Sequence, residues 1–83
     1  MYNIRFEKRA ADFFRKLEKP IQERIGKKIE NLKTNPKLGV PLTGDLVGLW
    51  KLRIGDYRVI YQIKENELII YVLKIGHRRN VYS

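Results

Sequence analysis

The sequence contains no cysteine, which removes disulfides, thiolate nucleophiles and thiolate metal sites together and fits a reducing compartment. Its single histidine, His77, cannot form a multi-histidine metal cluster, and the nine acidic residues are scattered without an inward-facing pair for acid–base work. Neither GxGxxG nor GxxxxGK occurs, so the common nucleotide-phosphate loops are excluded. No window approaches the roughly 20 apolar residues of a membrane span. The opening MYNIRFEKRAAD is charged by Arg5 and lacks the apolar run of a signal peptide. These absences lead us to expect a soluble cytoplasmic protein with no metal, no cofactor and no membrane partner. The 83 residues suit a single domain spanning residues 1–83, large enough for a core and one site.

What the chain does have is positive charge. Lys and Arg number 18 against nine acids, a formal charge of +9 with a pI near 10.0. So large an excess on so small a surface attracts nucleic acid or another acidic partner through its summed field.

The pattern is clearest from Leu49 to Tyr61, LWKLRIGDYRVIY. Trp50, Leu52 and Ile54 alternate with Lys51 and Arg53, and Tyr57, Val59, Tyr61 and Ile63 repeat the apolar phase with Arg58 out of step. Period-two alternation either side of Gly55-Asp56 predicts a hairpin, because primed turns need positive φ at a central residue. In that register Ile54 faces Tyr57, Arg53 faces Arg58 and Trp50 faces Tyr61. Like charges directly opposed across strands are destabilising, so folding alone does not select the Arg53–Arg58 pair. A bound polyanion would neutralise it. Lys51, Arg53 and Arg58 therefore read as a phosphate-binding surface on strands, and Trp50, Tyr57 and Tyr61 as core.

Upstream, Tyr2 to Phe6 permits a short strand. From Glu7, Ala10, Phe14 and Leu17 recur at helical spacing, with Asp12 and Lys16 available as an i,i+4 pair, and this helix is expected to end near Glu18. Lys19-Pro20 breaks it and starts a second helix, whose stripe is Ile21, Ile25, Ile29 and Leu32. Gly26 weakens a helix, so it marks close packing against the first one. Asn35-Pro36 ends the element, and KLGVPLTGDLVG reads as an ordered loop. After the hairpin, a turn at Glu65-Asn66, with Asn66 accepting positive φ, leads into the nearly continuous apolar strand Leu68–Ile75. The expected fold is α+β, ordered β-α-α-β-β-β. It has an antiparallel sheet with the helical hairpin packed on the apolar face and the cations on the other.

The set Lys51, Arg53, Arg58, His77, Arg78, Arg79 and Tyr82 suits RNA cleavage, in which a 2′-hydroxyl attacks the adjacent phosphorus. Such a site must orient the chain, offset charge on the non-bridging oxygens and move protons. Arg offers fork-shaped donors for phosphate, Lys51 among other cations is a base candidate and His77 a possible acid or base. Arg79 adds RNA-binding charge, and Tyr82 can stack on an unpaired base.

WKLRIGDYRVIYQI, followed by VLKIGHRRNVY and preceded by PLTGDLVGLW, resembles the RelE branch of the RelE/ParE toxin superfamily over essentially the whole chain. The resemblance implies a RelE-like fold and a metal-independent endoribonuclease that cuts messenger RNA in the ribosomal A site. It further implies a RelB-like antitoxin partner that wraps the helical hairpin and competes for the cationic face, with operator DNA reached only through that antitoxin. The matching catalytic positions are Lys51, Arg53, Arg58, Arg78 and Tyr82. Arginine at position 53 holds its proton too firmly to act as a base, which leaves Lys51 or His77. The alternative from the same superfamily is a ParE-like gyrase inhibitor with no nuclease activity. A third reading is a non-enzymatic RNA-binding module. Strict alternation through the last strand would turn Arg78 toward Ile70 and Val72, away from Arg58. A bulge at Gly76, or strand termination there, is expected to re-aim it.

Overall fold

The computed structural model describes residues 1–77. In chain order the elements are β1 (Asn3–Phe6), α1 (Lys8–Arg15), α2 (Lys19–Asn31), β2 (Val40–Pro41), β3 (Leu49–Ile54), β4 (Tyr57–Lys64) and β5 (Ile69–His77). One five-stranded sheet runs in the order β1-β5-β4-β3-β2. The α+β class and the helical hairpin over the apolar face are as expected. Two details differ from a purely antiparallel four-strand sheet. A two-residue strand, β2, pairs with β3 inside the stretch read as a loop, and β1 lies parallel to β5. No hairpin links β1 to β5, so nothing forces them to run oppositely. β1 is held by Asn3 N–H to Leu68 O and Glu7 N–H to Val72 O, both 2.8 Å.

The Glu7 carboxylate caps α1 by accepting from Arg9 N–H at 3.0 Å, satisfying a donor that the first helical turn leaves free. The helix stops at Arg15, earlier than the apolar spacing implied, and Asp12 pairs with Arg15 rather than Lys16. Gln22 of α2 closes the corner by donating to Phe14 O at 3.0 Å. A Cβ on Gly26 would sit 3.4 Å from the Phe14 ring, so the bare glycine lets the two helices approach, as its position suggested. Ala10, Ile25, Ile29 and Leu32 then bury Leu52, Ile54, Val59, Tyr61, Ile70, Val72 and Ile75. This is the expected phase.

The β3–β4 hairpin has the predicted register: Ile54 opposes Tyr57, Arg53 opposes Arg58 and Trp50 opposes Tyr61. Gly55, at φ +59, supplies the positive dihedral at the first turn position, where a type II′ turn needs it. The β4–β5 connection is longer than expected. A 3₁₀ turn over Glu65–Glu67 separates the paired Lys64 and Ile69, and the left-handed residue is Leu68 at φ +54 instead of Asn66. Among the described residues, no helix is long and apolar enough to cross a membrane.

Candidate nucleic-acid interface

On the face away from the helices, the pairing sets out two rows of residues. Arg53, Arg58 and Gly76 form one, and Lys51, Ile60 and Lys74 the next, contributed by β3, β4 and β5 in turn. Gly76 has no side chain, so the first row consists of two facing guanidinium groups. In these two rows Lys51, Arg53, Arg58 and Lys74, from three adjacent strands, thus share one face. None of the four makes an ion pair among the described residues, where the pairs found are Arg15–Asp12 and Lys33–Glu30 on the helices.

Arg58 is the most constrained of them. It is half-buried between β3 and β5, and its Nε is shielded from solvent without a hydrogen-bond partner among the described residues. Leaving a buried donor unpaired costs about 1–3 kcal/mol, more when the group is charged. Facing it, Arg53 is exposed, and its Nε donates only a long bond of 3.4 Å to Gly55 O. An anion between the two would satisfy both. A phosphate oxygen is the acceptor such forks fit best.

Lys74 was missed by the sequence reading because it lies in phase with Ile70 and Val72, which point into the core. β5 inserts one extra residue, Leu73, opposite the Ile60–Tyr61 step. This bulge moves Ile75 into the core and turns Lys74 out. Burying an unpaired ammonium is costly enough to explain it. The signal was present in the sequence: a lysine within an otherwise apolar strand, on the wrong phase. The phase change expected at Gly76 therefore occurs earlier, and β5 neither bulges nor ends at Gly76. Arg78, Arg79 and Tyr82 lie outside the described residues.

His77 does not join the cationic face. It opposes Tyr57, in the phase of Ile54, and meets that ring edge-on with centroids 5.6 Å apart. Facing residues on a pleated sheet share a side, so His77, expected as a possible acid or base, lies on the Tyr57 side of the sheet.

Tyr61 supports the site from behind. Its ring is wholly buried and lies near-parallel to Trp50, with centroids 6.3 Å apart. Its hydroxyl donates to Pro36 O at 2.7 Å and accepts from Gly39 N–H at 3.1 Å. Burial pushes the phenol above its ordinary value of 10.0, and the Gly39 hydrogen bond offsets part of that rise. These bonds hold the Pro36–Pro41 segment against the sheet. Gly39 passes so close to Lys51 O that a Cβ would collide with it. Val40 then pairs with Lys51, fixing the backbone that carries this cation.

A family model described as "ParE toxin of type II toxin-antitoxin system, parDE" matches residues 4–82. The chain belongs to this toxin family. The toxin is similar to the mRNA interferase toxin RelE of Escherichia coli K12, at 28% identity across 99% of this chain and 90% of that protein. Its fold matches a chain of the Mycobacterium tuberculosis toxin–antitoxin complex RelBE2 with a TM-score of 0.84. Identity there is 29%, covering 93% of this chain and 98% of the other. The intact E. coli RelBE toxin–antitoxin complex gives a TM-score of 0.79 at 25% identity, with 93% and 96% covered. The α+β fold of the toxin is thus the RelE fold.

Proposed function

We propose that this toxin is an endoribonuclease that cuts messenger RNA in the ribosomal A site, acts in the cytoplasm and is silenced by a RelB-like antitoxin. The observation that carries the reading is the Arg53–Arg58 pair, with a buried Arg58 Nε that has no partner among the described residues and is flanked by Lys51 and Lys74. A structural role does not account for two facing arginines that have no carboxylate partner among the described residues. The names of the similar proteins, an mRNA interferase and partners of RelB, support it as well.

In the proposed reaction Arg58 grips the scissile phosphate and Arg53 offsets the charge that gathers on its non-bridging oxygens. The ribose 2′-oxygen bonds to phosphorus as the bond to the 5′-oxygen breaks, leaving a 2′,3′-cyclic phosphate and a free 5′-hydroxyl. One proton leaves the 2′-hydroxyl and one reaches the departing 5′-oxygen. Guanidinium groups do not exchange protons in this way, so the two transfers are assigned to the lysines: Lys51, as its neutral amine, takes the proton of the 2′-hydroxyl, and the Lys74 ammonium gives one to the departing 5′-oxygen. The charge compensation that a metal would supply comes in this reading from the protein's own cations. Among the described residues, no group of three His, Asp or Glu side chains could hold a metal ion. Arg78 and Tyr82 remain part of the proposed site on the strength of the family resemblance.

The test is translation in a purified system with primer extension on the message. Cuts inside translated codons that vanish with Arg58→Ala support the reading. Intact message with blocked gyrase supercoiling would instead place the toxin with ParE-like gyrase inhibitors, for which the family model is named.

A further inference from the structure

A second cationic surface lies at the tip of the β3–β4 hairpin. β2 pairs with β3 only as far as Lys51, so the β3 edge is open at Arg53 and Ile54. There α2 and the turn enclose a cleft of about 430 Å³ lined by Arg24, Lys27, Lys28, Asn31, Arg53, Ile54 and Gly55. Arg24, Lys28 and Asn31 follow helical spacing and, with Lys27, project from α2 on the side its buried stripe of Ile25 and Ile29 leaves exposed. Four of these residues are cations, and none has an ion-pair partner among the described residues. Gly55 contributes by absence as well as by its φ of +59: a Cβ there would stand 2.6 Å from Arg24 Nη2. The missing side chain lets the Arg24 guanidinium lie against the turn, close to Arg53.

We infer that this cleft binds the RNA sugar–phosphate backbone, as a continuation of the strand face that Arg53 joins to it. The inference rests on the endoribonuclease reading and adds a place where a second run of phosphates is held. An acidic protein segment fits less well. Protein interfaces concentrate their energy in pockets that take aromatic or aliphatic anchors, and the one apolar residue in this lining, Ile54, is already buried in the core. Phosphates need only donors and positive charge, which is what the cleft offers. Apolar lining is found elsewhere, in the groove that includes Ile4, Phe6, Phe14 and Ile29.

The variant Arg24→Gln/Lys27→Gln/Lys28→Gln tests this. Glutamine keeps helix propensity close to that of the residues replaced, and an unchanged melting temperature checks that the fold is intact. Binding is measured by fluorescence anisotropy against salt, using 2′-O-methyl oligouridines of about 4 and about 20 nucleotides, which fill one part of the surface or all of it and cannot be cut. For the long probe the slope of log affinity against log salt should shrink by about 2, near 0.7 for each cation lost on a single strand. For the short probe it should not change. Sedimentation with message-free small ribosomal subunits separates the two sources of phosphate: a loss confined to the long probe assigns messenger, and a loss confined to subunits assigns ribosomal RNA. Either supports the inference. Unchanged slopes on both probes and undiminished binding to subunits overturn it, as does a variant weakened only toward its antitoxin. If the unsubstituted toxin neither binds nor cuts RNA, the endoribonuclease reading falls too, an outcome distinct from equal slopes in a protein that does bind.

Discussion

Replacing Tyr61 by phenylalanine should cost the toxin about 2 kcal/mol. The hydroxyl makes two hydrogen bonds, to Pro36 O at 2.7 Å and from Gly39 N–H at 3.1 Å, and each such bond is worth about 1 kcal/mol net. The ring itself stays, so the core against Trp50 is preserved and no cavity forms. For a domain of this size 1 kcal/mol moves the midpoint by about 4–8 °C, so thermal unfolding followed by circular dichroism should show a drop of about 8–16 °C. The pH dependence has a definite sign. The folded phenol holds its proton more tightly than the unfolded one, whose value is near 10.0. Stability from this difference is therefore complete below pH 10.0 and is lost as pH rises from there toward the folded value. The phenylalanine variant should lack this alkaline loss. The Gly39 amide should also exchange its hydrogen faster, because its acceptor has gone. A midpoint within about 2 °C of the parent, with Gly39 exchange unchanged, would refute the view that this hydroxyl straps the Pro36–Pro41 segment to the sheet.

Three further outcomes are expected. Arg53→Thr should raise stability by about 0.2–1 kcal/mol by removing the charge opposite Arg58, with the gain fading at high salt, while RNA cleavage falls. Denaturant titrations at two salt concentrations, with a cleavage assay, check both halves. Lys74→Gln should leave the melting temperature within about 2 °C, since the side chain is exposed, yet slow single-turnover cleavage. A Lys74 variant as fast as the parent removes this residue from the proposed site. Gly55→Ala should destabilise by about 1–2 kcal/mol through the positive φ and push Arg24 away from the turn. Chemical denaturation reads the first effect and the salt slope of RNA binding the second.

The sheet that carries the site was legible because alternation is a strong signal when one face is buried and the other solvated. From Trp50, Leu52, Ile54 and their cationic neighbours the hairpin register follows, including the Arg53–Arg58 opposition. The helical hairpin followed from Ile21, Ile25 and Ile29 and the Lys19-Pro20 break. β5 was harder. Its run of apolar residues carries no alternation, so only the cost of burying Lys74 could have revealed the bulge at Leu73. That bulge in turn decides which of Lys74, Gly76 and His77 reach the cationic face. The parallel β1–β5 pairing was not legible because short edge strands leave no mark of direction in their own sequence. The α2 cleft was hidden for another reason: Arg24, Lys27 and Lys28 read as an ordinary solvated helix face until the hairpin tip was seen beside them.

The claim that facing arginines hold a scissile phosphate is tested most directly by single-turnover cleavage of ribosome-bound message, with chemical analysis of the new ends. Arg58→Ala should lower the rate by about 10²–10³, the usual effect of deleting one preorganised charge-stabilising donor. The parent should leave 2′,3′-cyclic phosphate and 5′-hydroxyl ends. An Arg58→Ala rate within about twofold of the parent, or ends carrying a 3′-hydroxyl and a 5′-phosphate, would contradict it.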